Sequence, residues 1–336
     1  MVDNSHILPL NADVELEELA ANAVAIGLPM NTKFRKTTLR EVMLIKGPHG
    51  WAEFSPFPEY APEESAAWLS AAIEAGWHGW PEPVRQRVPV NATVPAVAVD
   101  DVETVLARFG PVSAVKVKVA DPNVATDIAR VKRVRELLPE ADIRIDANAG
   151  YTHQQAFEVI MALDFLTYAE QPVAGIQPLA ELRADLRAAG SRVLIAADEA
   201  VRKATDPLAV AQAGAADLIV VKVQPLGGVR RALSIVEASG LDAVVSSALD
   251  SSVGIAAGVA LAASLPTLDH ACGLATAALF TTEPANPARA GEGALTAGPA
   301  PQPDPAIMEQ LKLPAERQAW WQTRLAETHS VLSAKA

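Results

Sequence analysis

The sequence is short of cysteine, of positive charge and of long apolar runs, and each shortage removes a class of explanation. A single cysteine, Cys272, excludes an intramolecular disulfide and fits a reducing compartment. Lys and Arg number 28 against 40 Asp and Glu, a formal net charge of -12, and no basic cluster breaks that background. Nucleic acid and anionic membranes are therefore poor partners. The opening residues M-V-D-N-S-H-I-L-P-L show no basic region leading into an apolar run, so no signal peptide and a cytoplasmic location are expected. One uncharged stretch, Ser251 to Leu268, reaches the length of a membrane span. It is built largely of Ala, Gly and Ser with Pro266 near its end, and reads as a tightly packed helix. No G-x-G-x-x-G follows the first apolar run after residue 86, which argues against a doubly wound dinucleotide-binding sheet.

What is present falls into three parts. Residues 1–86 read as an α+β capping domain: Phe34 to Ile45 and W-A-E-F-S-P-F flank the turn Gly47-Pro48-His49-Gly50 as a hairpin, and Pro62-Glu63-Glu64 opens a helix running to Gly76. Gly27 to Thr38, polar and containing Pro29, is expected to be a mobile loop. Residues 87–280 alternate short apolar runs with Ala-rich amphipathic segments. The runs at 88–94, 114–119, 143–148, 165–170, 193–198, 218–223, 243–247 and 268–274 are eight strand candidates, predicting a modified (β/α)8 TIM-type barrel. Residues 281–336 form a Pro- and Gly-rich tail with one more helix near 315–327. Trp51, Trp68, Trp77 and Trp80 lie before the barrel and Trp320 and Trp321 after it, so the tail is expected to pack back on the cap.

Within the barrel, S-A-V-K-V-K-V-A (113–120) puts two lysines into a valine strand. Residues i and i+2 share a face, so Lys116 and Lys118 point the same way about 7 Å apart. At an effective dielectric of ~20 their repulsion is about 2.4 kcal/mol, enough to push a lysine towards service as a base. Lys118, Asp146, Glu170, Asp198, Lys222 and Ser246 then follow at steps of 28, 24, 28, 24 and 24 residues, the length of a βα unit. All fall at C-terminal strand ends, which in a barrel converge on the mouth where active sites lie. An isolated strand-end Asp is usually only solvated, but three carboxylates on consecutive strands repel unless a cation joins them. Oxygen-only donors suit Mg²⁺, with Mn²⁺ as a substitute, and nothing in the set favours zinc. Lysines flanking such a centre imply abstraction of a proton α to a bound small-molecule carboxylate. Arg144 shares a face with Asp146, either to orient substrate or to neutralise the cluster, and Asn148 is a supporting hydrogen bonder. Glu199 faces away from Asp198, and His270, the one histidine in a strand candidate, is read as a core residue.

The motifs K-x-K (116–118), D-A-N (146–148), A-E-Q-P around Glu170, A-D-E around Asp198, V-K-V-Q-P around Lys222 and S-S-A-L-D-S-S-V-G (246–254) resemble the enolase superfamily, muconate lactonizing subgroup. With the cap segment W-A-E-F-S-P-F-P-E-Y (51–60), the likeness is strongest to the o-succinylbenzoate synthase family of actinobacterial type, over nearly the whole chain. The resemblance implies Asp146, Glu170 and Asp198 as metal ligands, Lys118 as acid/base and Lys222 as stabiliser of an enediolate. It also implies Ser246 at the substrate's succinyl or carboxylate end, with Lys116 and Arg144 supporting. The implied reaction is Mg²⁺-dependent syn-dehydration in menaquinone synthesis. The alternatives are N-succinylamino acid racemase or dipeptide epimerase chemistry, more remotely a Schiff-base aldolase using Lys222, and a barrel kept only for binding. The oligomeric state stays open, with a monomer favoured.

Overall fold

The computed structural model describes residues 6–34, 37–121, 123–201, 206–286, 289–291 and 293–335. After a short helix, α1 (Leu16–Ala21), the chain builds an antiparallel meander of β1 (Ala23–Phe34), β2 (Thr37–Gly47) and β3 (Gly50–Phe54). The turn between β2 and β3 needs glycine at 47, because a Cβ there would lie 2.2 Å from the Gly76 carbonyl oxygen, the oxygen to which His49 N–H donates. Most of the expected loop at Gly27 to Thr38 is strand. Gly27 pairs with Glu41, Leu28 with Arg40 and Pro29 with Leu39, and the register slips between Pro29 and Phe34, just beyond the proline, which has no N–H for the ladder. Buried Ile26, Leu28 and Met30 hold the strand against the cap core; residues 35 and 36 of that expectation lie outside the described residues. Helix α2 (Pro62–Ile73) starts with proline in its first turn, where no N–H is required, and with Glu63 and Glu64 at the positive end of its dipole.

A short β4 (Arg87–Pro89) separates from β5 (Ala92–Val94), so the 88–94 run is two elements. From β5 the chain alternates: α3 (Val102–Leu106), β6 (Ala114–Lys118), α4 (Val124–Leu137), β7 (Asp142–Asp146), α5 (His153–Ala162), β8 (Tyr168–Glu170) and α6 (Ile176–Ala188). It continues through β9 (Leu194–Ala197), α7 (Asp206–Gln212), β10 (Leu218–Val221), α8 (Val223–Leu226), α9 (Val229–Ser239), β11 (Asp242–Val245) and α10 (Ser252–Ser264). Strands β5 to β11 make one curled parallel sheet in sequential order. The eighth candidate, 268–274, is not a strand. Only Cys272 and Gly273 bridge, to Val90 on one side and Ser246 on the other, with Cys272 N–H to Pro89 O at 2.7 Å and Gly273 N–H to Val245 O at 2.8 Å. Those two bridges join the ends of the seven-stranded sheet. Helix α10 is buried all round and 13 residues long, and no helix among the described residues is long and apolar enough to cross a membrane.

The tail adds β12 (Arg289–Gly291) and β13 (Ala294–Thr296) beside β4, then α11 (Pro305–Leu311) and α12 (Ala315–Ser333). Helix α12 lies on the cap: Trp321 meets Phe54 edge-on at 6.1 Å, in the same apolar core as Trp68. Arg324 donates to the carbonyls of Phe57 and Tyr60 at 2.8 and 2.7 Å, so the tail fixes the cap loop that faces the barrel mouth.

Candidate active site

Strand periodicity sets the site. In β6, Val115 and Val117 turn outward into the helix-packed core and Lys116 and Lys118 turn inward. Lys118, Asp146 and Glu170 end their strands, and Asp198, Lys222 and Ser246 each follow the last residue of theirs. All six, with Lys116 and Asn148, line one cavity of about 680 Å³ between barrel and cap, and Phe57, Tyr60 and Trp68 cover it from the cap.

The lysines are committed to the carboxylates. Lys116 Nζ donates to both Glu170 oxygens at 3.0 and 3.1 Å and lies 3.4 Å from Asp146 Oδ2. Lys118 is paired with Asp146 and donates to Asn148 Oδ1 at 2.8 Å, and Lys222 is paired with Asp198. Mutual repulsion therefore does not govern Lys116. Burial opposes its charge, but Glu170 and Asp146 hold its ammonium above the usual lysine range. Burial also opposes ionisation of Asp146, yet Lys118 and Lys116 keep its carboxyl well below the usual range. Glu170 is left over: burial, and then the charge of Asp146, push it up to about 8 despite Lys116.

Three oxygen-donor groups facing one cavity fit a hard divalent cation by donor chemistry. Among the described residues no three carboxylate, imidazole or thiolate groups are gathered as a finished cage, since each carboxylate is drawn to a lysine instead.

Other expected residues lie further back. Arg144 is fully buried one layer below the cavity, with Nη1 donating to Tyr168 Oη at 3.1 Å and Ala271 O at 2.7 Å, so it underpins the ring without lining it. His270 packs edge-on against Tyr168 at 5.6 Å, away from the cavity. Glu199 accepts from Asn148 Nδ2 at 3.1 Å. Sequence reasoning missed Gln171, whose buried amide oxygen accepts from Asp198 N–H at 2.9 Å and Ala200 N–H at 3.0 Å, tying the end of β8 to the end of β9. Its signal was the position next to Glu170. Among the described residues the five non-glycines at positive φ, Ala120, Asn148, Ala149, Gln171 and Leu249, all lie within four residues of a barrel strand's C-terminal end. Strained backbone of this kind costs about 1–3 kcal/mol per residue and concentrates where function requires it.

Residues 98–301 match the Enolase C-terminal domain-like family and residues 25–76 the Enolase N-terminal domain-like family. The chain belongs to the enolase superfamily. Within it, the chain is 48% identical over 322 residues to an o-succinylbenzoate synthase of Mycolicibacterium smegmatis, covering 94% of this chain and 98% of the relative. It is 49% identical over 326 residues to an o-succinylbenzoate synthase of Mycobacterium ulcerans, covering 94% and 96%. Among solved structures, muconate lactonizing enzyme from Pseudomonas fluorescens shares the fold with a TM-score of 0.72 at 18% identity, over 87% of this chain and 98% of that one. A 2-chloromuconate cycloisomerase from Rhodococcus opacus 1CP gives 0.73 at 22%, with the same coverage.

Proposed function

We propose that this protein works as an o-succinylbenzoate synthase, a lyase that removes water from 2-succinyl-6-hydroxy-2,4-cyclohexadiene-1-carboxylate to give 2-succinylbenzoate in menaquinone biosynthesis. The observation that carries the reading is the ring of alternating lysine and carboxylate groups at one barrel mouth, in a chain that matches synthases of that name almost end to end.

Asp146, Glu170 and Asp198 are assigned the metal, Mg²⁺ with Mn²⁺ as a substitute, which when bound supplies positive charge to the substrate's reacting carboxylate. Lys118 takes the proton α to that carboxylate, and the C–H electron pair moves into the carboxylate as an enediolate. Lys222, reaching in from the far side of the ring, stabilises that anion electrostatically. Lys118, now an ammonium, gives its proton to the hydroxyl leaving from the same face, so that water departs and the ring becomes aromatic. Lys116 stays protonated against Glu170, and Asn148 holds Lys118 on the mouth side. Ser246 and the main chain after it take up the polar arm of the substrate. A cap of residues 1–86, a barrel of 87–280 and a returning tail of 281–336 remain the division of the chain that we favour.

Mixing the Mg²⁺-loaded protein with the cyclohexadiene and following 2-succinylbenzoate tests the reading; no product refutes it. Lys118 and Lys222 on opposite sides of one ring also permit 1,1-proton transfer. Deuterium entering the α-position of an N-succinyl amino acid in D₂O reports that second reading, and its absence dismisses it.

A further inference from the structure

The ring lysines are each answered by a carboxylate, but among the described residues two other cations on the cavity wall, Arg231 and the exposed Lys335, are not. Arg231, in the first turn of α9, lines the cavity and forms no ion pair among the described residues. Its Nε donates to Leu8 O at 2.8 Å and its Nη1 to Leu226 O at 2.7 Å, both neutral main-chain acceptors. Those two ties fix the guanidinium on the barrel rim and leave its charge without a counter-ion. Burial lowers its proton affinity from the usual arginine value, the mark of a cation that has lost water and gained no anion. Arginine remains charged in such a setting and offers a planar fork matched to carboxylates.

The rest of the wall gives direction to that charge. Across the mouth, Glu63 and Glu64 line the cap side and disfavour an anion there, and Lys335 at that rim is an exposed side chain resting on Glu63 O at 3.1 Å. Ser246, Ser247 and Thr276 on the barrel side supply hydroxyls but no charge. A carboxylate carried into this covered cavity needs both hydrogen bonds and a compensating charge.

We propose that Arg231 binds a second, remote carboxylate of the substrate, so that the cavity selects dicarboxylates whose reacting end meets the ring and whose other end meets α9. The proposal rests on the dehydration reading and identifies the anchor for the succinyl arm.

Calorimetric binding of two ligands to the Mg²⁺-loaded protein separates this role from a structural one: 2-succinylbenzoate, and 2-butanoylbenzoate, in which a methyl group replaces the remote carboxylate. Wild type should prefer the succinyl ligand by about 10- to 100-fold, the range of a charge-assisted pair. Arg231→Met should remove most of that preference by weakening the succinyl ligand alone, and should raise KM for the cyclohexadiene more than it lowers kcat. Arg231→Lys should keep part of the preference. An Arg231→Met protein that retains the wild-type preference, or that loses both ligands equally, overturns the proposal. A wild type that binds both ligands with the stated preference yet forms no 2-succinylbenzoate refutes the dehydration reading and leaves the Arg231 contact standing.

Discussion

Glu170 sits between Asp146 and Asp198, with Lys116 against both of its oxygens, and burial and the neighbouring carboxylate push its pKa up to about 8 despite that lysine. If it is one of three groups sharing a divalent cation, Glu170→Gln should weaken Mg²⁺ binding by about 100-fold, with activity returning at high Mg²⁺. Titration with Mg²⁺ measures the first part directly, and unaltered affinity would remove Glu170 from the metal set. The positions of the ring residues were legible because a strand has period two and a barrel repeats its unit, so spacing alone placed Lys118, Asp146 and Glu170 at strand ends. Their pairing was not. Lys116 reaches past β7 to Glu170 on β8, and a contact between non-adjacent strands leaves no trace in local sequence. The Arg144–Tyr168 pair beneath the ring and the contact of Gln171 with Asp198 join neighbouring strands, but their partners lie 24 and 27 residues apart in sequence, so local sequence hid them too.

At the scale of elements, α12 and β3 share an interface that two sequence features foretold, the tryptophans at either end of the chain. Trp321 is fully buried against Phe54. Trp321→Ala should cost about 3–5 kcal/mol, the usual range for emptying such a site, read as a lowered denaturant midpoint; a change within ~0.5 kcal/mol would mean that the tail contributes no packing there. A second joint, between β3 and the start of α10, was not visible in the sequence. Glu53 accepts from Ser251 N–H at 3.0 Å and Glu283 from Ser252 N–H at 2.9 Å, so two acids cap one helix, and Asp250 lies beside them with Arg40 close by. Burial, and then Glu53, raise Asp250 to about 7, and burial raises Glu283 to about 8. Unfolded carboxyls release their protons near pH 4, so between there and pH 7–8 the folded state holds more protons and stability falls as pH rises. Wild type should lose several kcal/mol from these groups between pH 5 and 8.5. Asp250→Asn with Glu283→Gln should flatten that part of the Tm profile, and an unchanged slope would show that the two acids do not carry it. β1 was misread as a loop because Pro29 has no strand character of its own, and the eighth barrel run was read as a whole strand where only Cys272 and Gly273 bridge. Partners distant in sequence hold each in place.

For the whole molecule, the cap and returning tail cover a barrel mouth at which the three ring carboxylates, the three ring lysines and Arg144 below them are packed within two layers. The central claim is that this concentration of charge serves proton removal by Lys118 and that the remaining groups prepare for it. The direct measurement is turnover of the cyclohexadiene at saturating Mg²⁺ by wild type and by Lys118→Ala, with Mg²⁺ and 2-succinylbenzoate binding measured on the same samples. The account predicts that Lys118→Ala binds both yet loses about 10²–10⁴-fold in kcat, the weight of a positioned general base. A variant that binds both and turns over within a few-fold of wild type would contradict it.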